Sequence, residues 1–398
     1  MPGRARHRPR RRLAALTATV VTAALLAACT SEPAPRGSTA ASATTPGTPT
    51  ASPAPPVERT VEGAPADLAS LIDRLYGGSD LGDGANAETA AALKGRAAPA
   101  SPVPAGATAA VGSWFDTPIA VVTAGDDVTL AIGPTWQLVG GWWPSLGLKA
   151  PALGEGPRWV LALGSDARKG QNLGRSRADT LQVVGLDGTG GGGVMGIARD
   201  LWVPLSTGGK GKINSAMALG GPAAQLATVR RATGLPIEGY AVIGFEGFKQ
   251  LIDDQGGIPI VVPETVNASH ARLVIEKGPQ VLSGKEALAY ARERKTLPDG
   301  DFGRSRHQGQ LLVAAAIKAK LAGPIAVPGA LTSFSAVGQG NLSAEEMLTF
   351  AAGLHRVNPT QVGRGVAAGP FGWAGSQSIV VLGDQARRLF ASFADGNL

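Results

Sequence analysis

Arginines and aspartates recur at the edges of apolar runs in the C-terminal part of this 398-residue chain. Gly164-Ser165-Asp166 follows the run Trp159-Val-Leu-Ala-Leu, Arg177-Ala178-Asp179-Thr180 leads into a second run, and Arg199-Asp200 closes a third. Farther on, Arg292-Glu293-Arg294 ends a helical segment, and Gly300-Asp301-Phe302-Gly303-Arg304-Ser305-Arg306-His307-Gln308 opens another. Recognition of a diphosphate is the chemistry that suits such a set. A guanidinium donates paired hydrogen bonds to phosphate oxygens and stays charged when desolvated. Two carboxylates together with substrate phosphate oxygens are a common way to hold Mg²⁺. The competing reading makes the same residues exposed salt bridges and helix-end pairs. Other chemistries lack their residues: there is no G-x-S-x-G, Gly208-Gly-Lys-Gly-Lys212 has no Gly-Lys followed by Ser or Thr, and the four histidines show no H-E-x-x-H spacing.

These residues need an alternating scaffold to position them. Residues 159–163, 180–184 and 194–198 are short apolar runs that read as buried strands, with the Gly188–Gly193 stretch as a hairpin turn between the last two. Helices are expected over 222–232, 245–254 and 308–321, with strands at 240–243, 258–262 and 378–382. Asp384 is expected to cap a final helix. Ser283 and Glu286 form a capping box for a further helix carrying Ala287, Leu288 and Tyr290. The fold class is α/β, a three-layer α/β/α domain around a central mixed sheet over residues 158–396. Ahead of it, residues 61–157 form an accessory region. This contains a helix at 66–76, a low-complexity stretch at about 86–110, and a small β-rich part whose hairpin turns at Gly125-Asp126-Asp127. Trp114, Trp136, Trp142 and Trp143 crowd into that part, either as a core or as a sugar- or membrane-facing surface; core is the simpler reading.

Net charge is +7, but Arg4, Arg6, Arg8, Arg10, Arg11 and Arg12 supply six of those charges ahead of the uncharged run Leu13 to Ala28. That arrangement reads as an export signal over residues 1–28, and Leu26-Ala27-Ala28-Cys29 resembles a bacterial lipobox with Cys29 as the lipid attachment point. An uncleaved N-terminal anchor is the alternative. Without the six arginines the chain is nearly neutral. The single cysteine excludes a disulfide framework. Residues 29–60, rich in Ser, Thr, Ala, Pro and Gly, are expected to be a disordered tether. A nucleic-acid partner is not expected, since the basic charge belongs to the export signal and no helix-turn-helix pattern is present.

Six segments in order, Leu161-Ala-Leu-Gly-Ser-Asp166, Arg177-Ala-Asp-Thr180, Arg199-Asp200, Lys212-Ile-Asn-Ser-Ala216, Ala287-Leu-Ala-Tyr-Ala-Arg-Glu-Arg294 and Gly300-Asp-Phe-Gly-Arg304, resemble the LytR-CpsA-Psr family. The resemblance covers about 158–320. It implies an extracytoplasmic phosphotransferase that moves a glycopolymer from a polyprenyl diphosphate carrier to peptidoglycan. By position it implies Asp166 and Asp179 as ligands of Mg²⁺ (or Mn²⁺), and Arg177 as an active-site arginine beside the metal. Arg199, Arg292, Arg294, Arg304 and Gln308 fall at the diphosphate-binding positions, and the first three of these, with Arg177, are the expected catalytic set. Residues 245–252 and 311–321 would line a pocket for the polyprenyl tail, in competition with plain core packing. Two positions depart from the family: Ala198 replaces a usual proline, and His307 replaces a common arginine. The chain is expected at the outer face of the cell membrane, held by its N-terminal lipid. Its composition is compatible with an actinobacterial source and an arabinogalactan donor. Two other readings remain: a non-catalytic lipoprotein that binds wall glycan or polyprenyl carrier, and a polyprenyl diphosphate hydrolase.

Overall fold

The computed structural model describes residues 61–97, 103–168 and 170–398. The expected signal, Cys29 and the tether lie outside them. Leu68, Leu71, Ile72 and Leu75 repeat at three- and four-residue spacing, and they fold as α1 (Ala66–Tyr76) with that face buried. α2 (Ala87–Leu93) lies within the stretch expected to be low-complexity. Alanine is a strong helix former, and the Asn86 side chain accepts a hydrogen bond from Thr89 N–H at 2.8 Å, so a capped helix forms there. β1 (Thr108–Trp114), β2 (Thr117–Ala124), β3 (Asp127–Ile132) and β4 (Gln137–Trp142) make an antiparallel meander. Ala124 pairs with Asp127, so Asp127 opens β3 and the hairpin turn is the two residues Gly125-Asp126. Asp127 is buried and accepts bonds from Tyr76 Oη (2.8 Å) and Ser145 N–H (2.9 Å), which fastens α1 to the sheet. Trp114, Trp136 and Trp143 are buried and Trp142 is half-buried. The tryptophan cluster is therefore core, and its polar ends are satisfied: Trp143 Nε1 donates to Thr129 Oγ1 and Trp114 Nε1 to Leu342 O, both at 2.8 Å.

The second part begins with β5 (Arg158–Ser165), β6 (Ala178–Leu186), β7 (Gly192–Ile197), β8 (Leu201–Pro204) and β9 (Lys210–Lys212). α3 (Ser215–Thr233), β10 (Gly239–Ile243), α4 (Phe245–Asp254), β11 (Ile258–Val262), β12 (Val266–Ala268), β13 (Leu273–Ile275) and β14 (Gly278–Leu282) follow. The chain then runs through α5 (Gly284–Arg292), α6 (Asp301–Ala322), α7 (Val327–Ser335), β15 (Gly338–Gly340) and α8 (Ala344–Arg356). It ends with β16 (Val362–Ala367), β17 (Phe371–Ala374), β18 (Gln377–Val381) and α9 (Asp384–Ser392).

The central sheet has the order β15-β10-β5-β6-β7-β16 and is mixed: β10 pairs parallel with β5 and β16 with β7, while β5, β6 and β7 are antiparallel. Side-chain alternation sends Trp159, Leu161 and Leu163 into one core, with residues of α3 and α9, and Val160 into another, with α8. The three-layer α/β/α architecture follows. Ile119, Val121 and Leu130 of the meander join that second core, so residues 61–157 share buried surface with the rest. Three expectations change in detail. The helix expected at 222–232 is the second half of α3, which breaks at Gly221 (φ +82°) just before Pro222. α6 starts at Asp301, seven residues before Gln308. Asp384 is the first residue of α9 and makes no capping bond, Gly383 occupying the cap.

Candidate diphosphate site at the mouth of an apolar cavity

Two strand ends supply the carboxylates. Between β5 and β6 the register slips: Gly164 pairs with Thr180 and Ser165 with Ala178, which leaves Asp179 as the extra residue of a bulge. A bulge re-aims the side chain it carries. Gly164 is required there, because a Cβ would lie 2.6 Å from Thr180 Oγ1. Asp166, one residue past β5, is clamped to the start of β6. Its N–H donates to Arg177 O (3.1 Å), and its Oδ1 accepts Arg177 N–H (2.9 Å). The Arg177 side chain is exposed. Arg199 follows β7, and its Nη1 lies 2.8 Å from Asp179 Oδ1. The Lys212-Ile-Asn-Ser-Ala216 segment is structural: Asn214 N–H donates to Arg199 O (3.2 Å), and Asn214 O accepts Ala178 N–H (3.3 Å).

The other arginines come from the turn between α5 and α6. The capping box of Ser283 and Glu286 forms and sets the start of α5. At its end Glu293 leaves helical geometry (ψ 133°) and turns its side chain into the protein. Its Oε1 accepts the N–H groups of Arg294 (2.8 Å), Lys295 (2.6 Å) and Thr296 (3.1 Å), and Oε2 lies 3.2 Å from His270 Nδ1. Burial alone would raise its pKa, but these donors hold it below the usual glutamate value. The resulting turn lets Arg292 and Arg294 converge despite their i, i+2 spacing. Arg292 lies over the Phe245 ring, 4.3 Å from its centroid.

Asp301, the first residue of α6, gathers the set. Its Oδ2 is 3.3 Å from Arg199 Nε, and its Oδ1 is 3.6 Å from Arg294 Nη1 and 3.5 Å from Arg304 Nη2. No role for Asp301 was apparent in the sequence; an acidic residue opening a helix three positions before an arginine is the signal that was available. Arg199, Arg294 and Arg304 pair with Asp179 and Asp301, and Arg292 joins them at the cavity wall without an ion pair among the described residues, so guanidinium groups outnumber the carboxylates paired with them. Burial, reinforced by Arg199, pulls Arg304 below the usual arginine value, and burial also lowers Arg292. Arg199 is half-buried, but Asp179 and Asp301 outweigh that and hold it above the usual value. Among the described residues, buried Arg304 Nε and Asp301 Oδ1 have no hydrogen-bond partner. The cluster is thus cationic and incompletely satisfied, with Arg304 buried, Arg199 half-buried and Arg292 and Arg294 open to solvent.

Gln308, expected to bind diphosphate, sits one turn beyond Arg304 on the same face of α6. It is buried, and its Nε2 donates to Ala291 O (3.0 Å), so it also holds the end of α5 that presents Arg292. His307 stacks on Tyr290 with ring centroids 3.9 Å apart, and its Nδ1 lies 3.2 Å from Tyr290 O. Burial lowers its pKa, so it adds no charge at neutral pH. Burial also pushes the Tyr290 hydroxyl up to about 12.

The cluster closes one end of a cavity of about 710 Å³. Asp179, Arg199, Arg292, Arg294, Arg304 and Gln308 line it; Asp166 and Arg177 stand beside it rather than in its wall. The remaining wall is mostly apolar: Phe245, Phe248 and Leu251 of α4, Leu312, Ala315, Ala316 and Ala319 of α6, and Val327, Ala330 and Leu331 of α7. Both expected helices therefore face the cavity. Ile252 of α4 and Leu311 of α6 line the cavity and also pack the core, whereas Ala314 packs the core alone. Among the described residues no three metal-ligating side chains converge. Asp166 and Asp179 each engage one carboxylate oxygen and leave Oδ2 without a hydrogen bond among those residues. Two such hard oxygen donors fit Mg²⁺ or Mn²⁺ with water and phosphate oxygens completing the shell.

The chain thus presents an α/β/α domain whose strand and helix ends bring arginines to the wall of a largely apolar cavity. Residues 148–383 match the LytR_cpsA_psr family, and the chain belongs to that family. The regulatory protein MsrR of Staphylococcus aureus (strain COL) is 39% identical over 165 residues, 41% of this chain and 49% of MsrR. The polyisoprenyl-teichoic acid–peptidoglycan teichoic acid transferase TagV of Bacillus subtilis (strain 168) is 40% identical over 170 residues, 40% of this chain and 42% of TagV. The aligned part is thus about half the length of these curated relatives or less. The crystal structure of B. subtilis TagV superposes with a TM-score of 0.52 at 28% identity, covering 62% of this chain and 100% of that one. A TagT structure shares the fold, with a TM-score of 0.52 at 22% identity over 63% of this chain and 94% of TagT.

Proposed function

We propose that this protein transfers a glycopolymer from a polyprenyl diphosphate carrier to peptidoglycan. The observation that carries the reading is the join of two unlike surfaces: a cluster in which guanidinium groups outnumber the carboxylates paired with them, and an apolar cavity they help to line. A polyprenyl diphosphate joins the matching pair, since a diphosphate diester carries two negative charges and its lipid is apolar. TagV, named for a transfer of this class, supports the choice of donor and acceptor.

Arg199, Arg292, Arg294 and Arg304 hold the diphosphate and stabilise the charge that grows on its oxygens in the transition state. Asp301 and Glu293 keep those arginines converged, and Arg177 stands beside the carboxylate pair. Asp166 and Asp179 would hold Mg²⁺ or Mn²⁺, which would supply neutralisation of phosphate charge. An acceptor hydroxyl oxygen bonds to the phosphorus next to the glycan and gives up its proton. The bond from that phosphorus to the bridging oxygen breaks, and polyprenyl phosphate leaves. The N-terminal lipid at Cys29 would place this chemistry at the outer membrane face, where the carrier resides.

The full chain in detergent, given a polyprenyl diphosphate-linked glycan, Mg²⁺ and peptidoglycan, should produce glycan-bearing peptidoglycan and polyprenyl phosphate. Glycan phosphate released equally with and without acceptor would assign hydrolysis instead, and undiminished transfer by Arg304→Ala would overturn the site.

A further inference from the structure

β17 is the edge strand of a small sheet, β17-β18-β8-β9, whose strand β8 begins two residues after Arg199. Phe371 and Trp373 lie two residues apart and so point to one face. They are 72% and 74% exposed, and among the described residues no other Phe or Trp is exposed. Folding leaves aromatic surface of this size in water only at a cost, and a contiguous patch of it marks a contact site. Its position is specific. Phe371 stacks on Phe302, with centroids 5.5 Å apart and planes at 26°, and Phe302 is the residue after Asp301, whose carboxylate gathers Arg199, Arg294 and Arg304. None of the three rings lines the cavity. The row Phe302, Phe371, Trp373 therefore starts at the residue next to Asp301, outside the cavity, and ends in the two exposed rings.

We infer that Phe371 and Trp373 form a saccharide-stacking platform for the acceptor, the glycan strand of peptidoglycan. The inference rests on the function proposed above and adds the acceptor's place. In phosphoryl transfer the attacking and leaving oxygens lie roughly in line. The leaving polyprenyl phosphate has its tail in the cavity, so the nucleophile arrives from outside the mouth, where this aromatic row begins. The chemistry of the patch fits a sugar better than a bilayer. Ser378 lies directly opposite Trp373 on the same face and supplies a hydroxyl partner for sugar hydroxyls. The same sheet carries the Lys212–Asp200 pair (3.1 Å). A membrane-contacting surface would instead set aromatic and aliphatic residues beside a basic face.

The test is retention of the full chain in detergent on purified peptidoglycan sacculi. Phe371→Ala/Trp373→Ala should weaken retention about tenfold, the size expected for losing packed rings. Trp373→Phe, which keeps a ring, should recover most of it. Val281→Ala, an exposed apolar residue on another sheet, should bind as wild type does. Thermal midpoints check that each variant is folded. Wild-type retention by the double variant overturns the inference. So does loss of binding to phosphatidylglycerol vesicles with sacculus binding intact, which would make the patch a membrane contact. The two proposals fail separately: a wild type that transfers nothing removes the function while leaving the sacculus result to be read. A wild type that transfers normally beside a double variant that binds sacculi normally removes only the platform.

Discussion

The two ends of the cavity are built on opposite principles. At the mouth, charged groups set one another's positions: Arg199 spans Asp179 and Asp301, Arg294 and Arg304 reach Asp301, and Glu293 fixes the turn that presents Arg292 and Arg294. In the wall, Leu312, Ala315, Ala316, Ala330 and Leu331 offer only volume and apolar surface. A mouth of this kind selects one headgroup charge and geometry, whereas the wall accepts any flexible chain that fits. On the function proposed above, specificity for the carrier would rest on a few charged side chains, and the lipid part would be recognised by exclusion of water.

Mutations should separate the two ends, most sharply at the mouth. Arg304→Ala or Arg292→Ala removes a charge used in the transition state. Either should reduce transfer on the order of a hundred- to a thousandfold, measured as glycan incorporated into peptidoglycan. A loss under threefold would mean that the mouth is not the reacting site. Asp301→Asn leaves three arginines facing one another without their shared carboxylate. It should lower the thermal midpoint, and inorganic pyrophosphate should raise that midpoint more in the variant than in wild type, because ligand binding then relieves the repulsion. An equal rise in both would show that Asp301 does not hold the arginines together.

In the wall the effect should be smaller and depend on the lipid. Ala316→Phe fills cavity space and should reduce use of a long-chain donor about tenfold. A short-chain analogue should be used nearly as well as before. Equal loss for both donors would mean that the tail does not enter the cavity. Smallest is the effect of Glu293→Gln. The folded-state pKa of Glu293 is lowered, so its contribution is present above its usual value of 4.5 and is lost as pH falls below that through the folded value. Thermal midpoints should therefore fall less steeply with acid in the variant than in wild type. Parallel curves would remove Glu293 from the turn's support.

The sequence shows the mouth better than the wall, and the wall better than the accessory region. Asp166, Arg177, Asp179 and Arg199 flank apolar runs whose strand character is evident from their length, so their gathering at strand ends could be anticipated. The bulge that frees Asp179 is a matter of register between two strands, and no spacing within either strand reveals it. Asp301 is part of a motif, but its place depends on Arg199 and Arg294 from two other parts of the chain as well as on Arg304 of its own motif. The apolar faces of α4 and α6 are legible as helical stripes, but core and cavity residues have the same hydrophobicity. Only packing divides Ala314 from Ala315 and lets Leu311 serve both core and cavity. In the accessory region, α2 was hidden by alanine-rich composition that a low-complexity linker shares. Phe371 and Trp373 are hidden for a related reason, since alternation in a short edge strand does not say which face is left uncovered.

The central claim is that the arginine mouth and the apolar wall together hold one polyprenyl diphosphate. Mass spectrometry of lipid retained by the full chain, extracted from its native membrane in detergent, tests it most directly. The wild type should carry a polyprenyl phosphate or diphosphate, and the Arg199→Ala/Arg304→Ala variant, folded by thermal midpoint, should carry little or none. A wild type that retains only ordinary phospholipid, or a variant that keeps the polyprenyl lipid at the wild-type level, would contradict it.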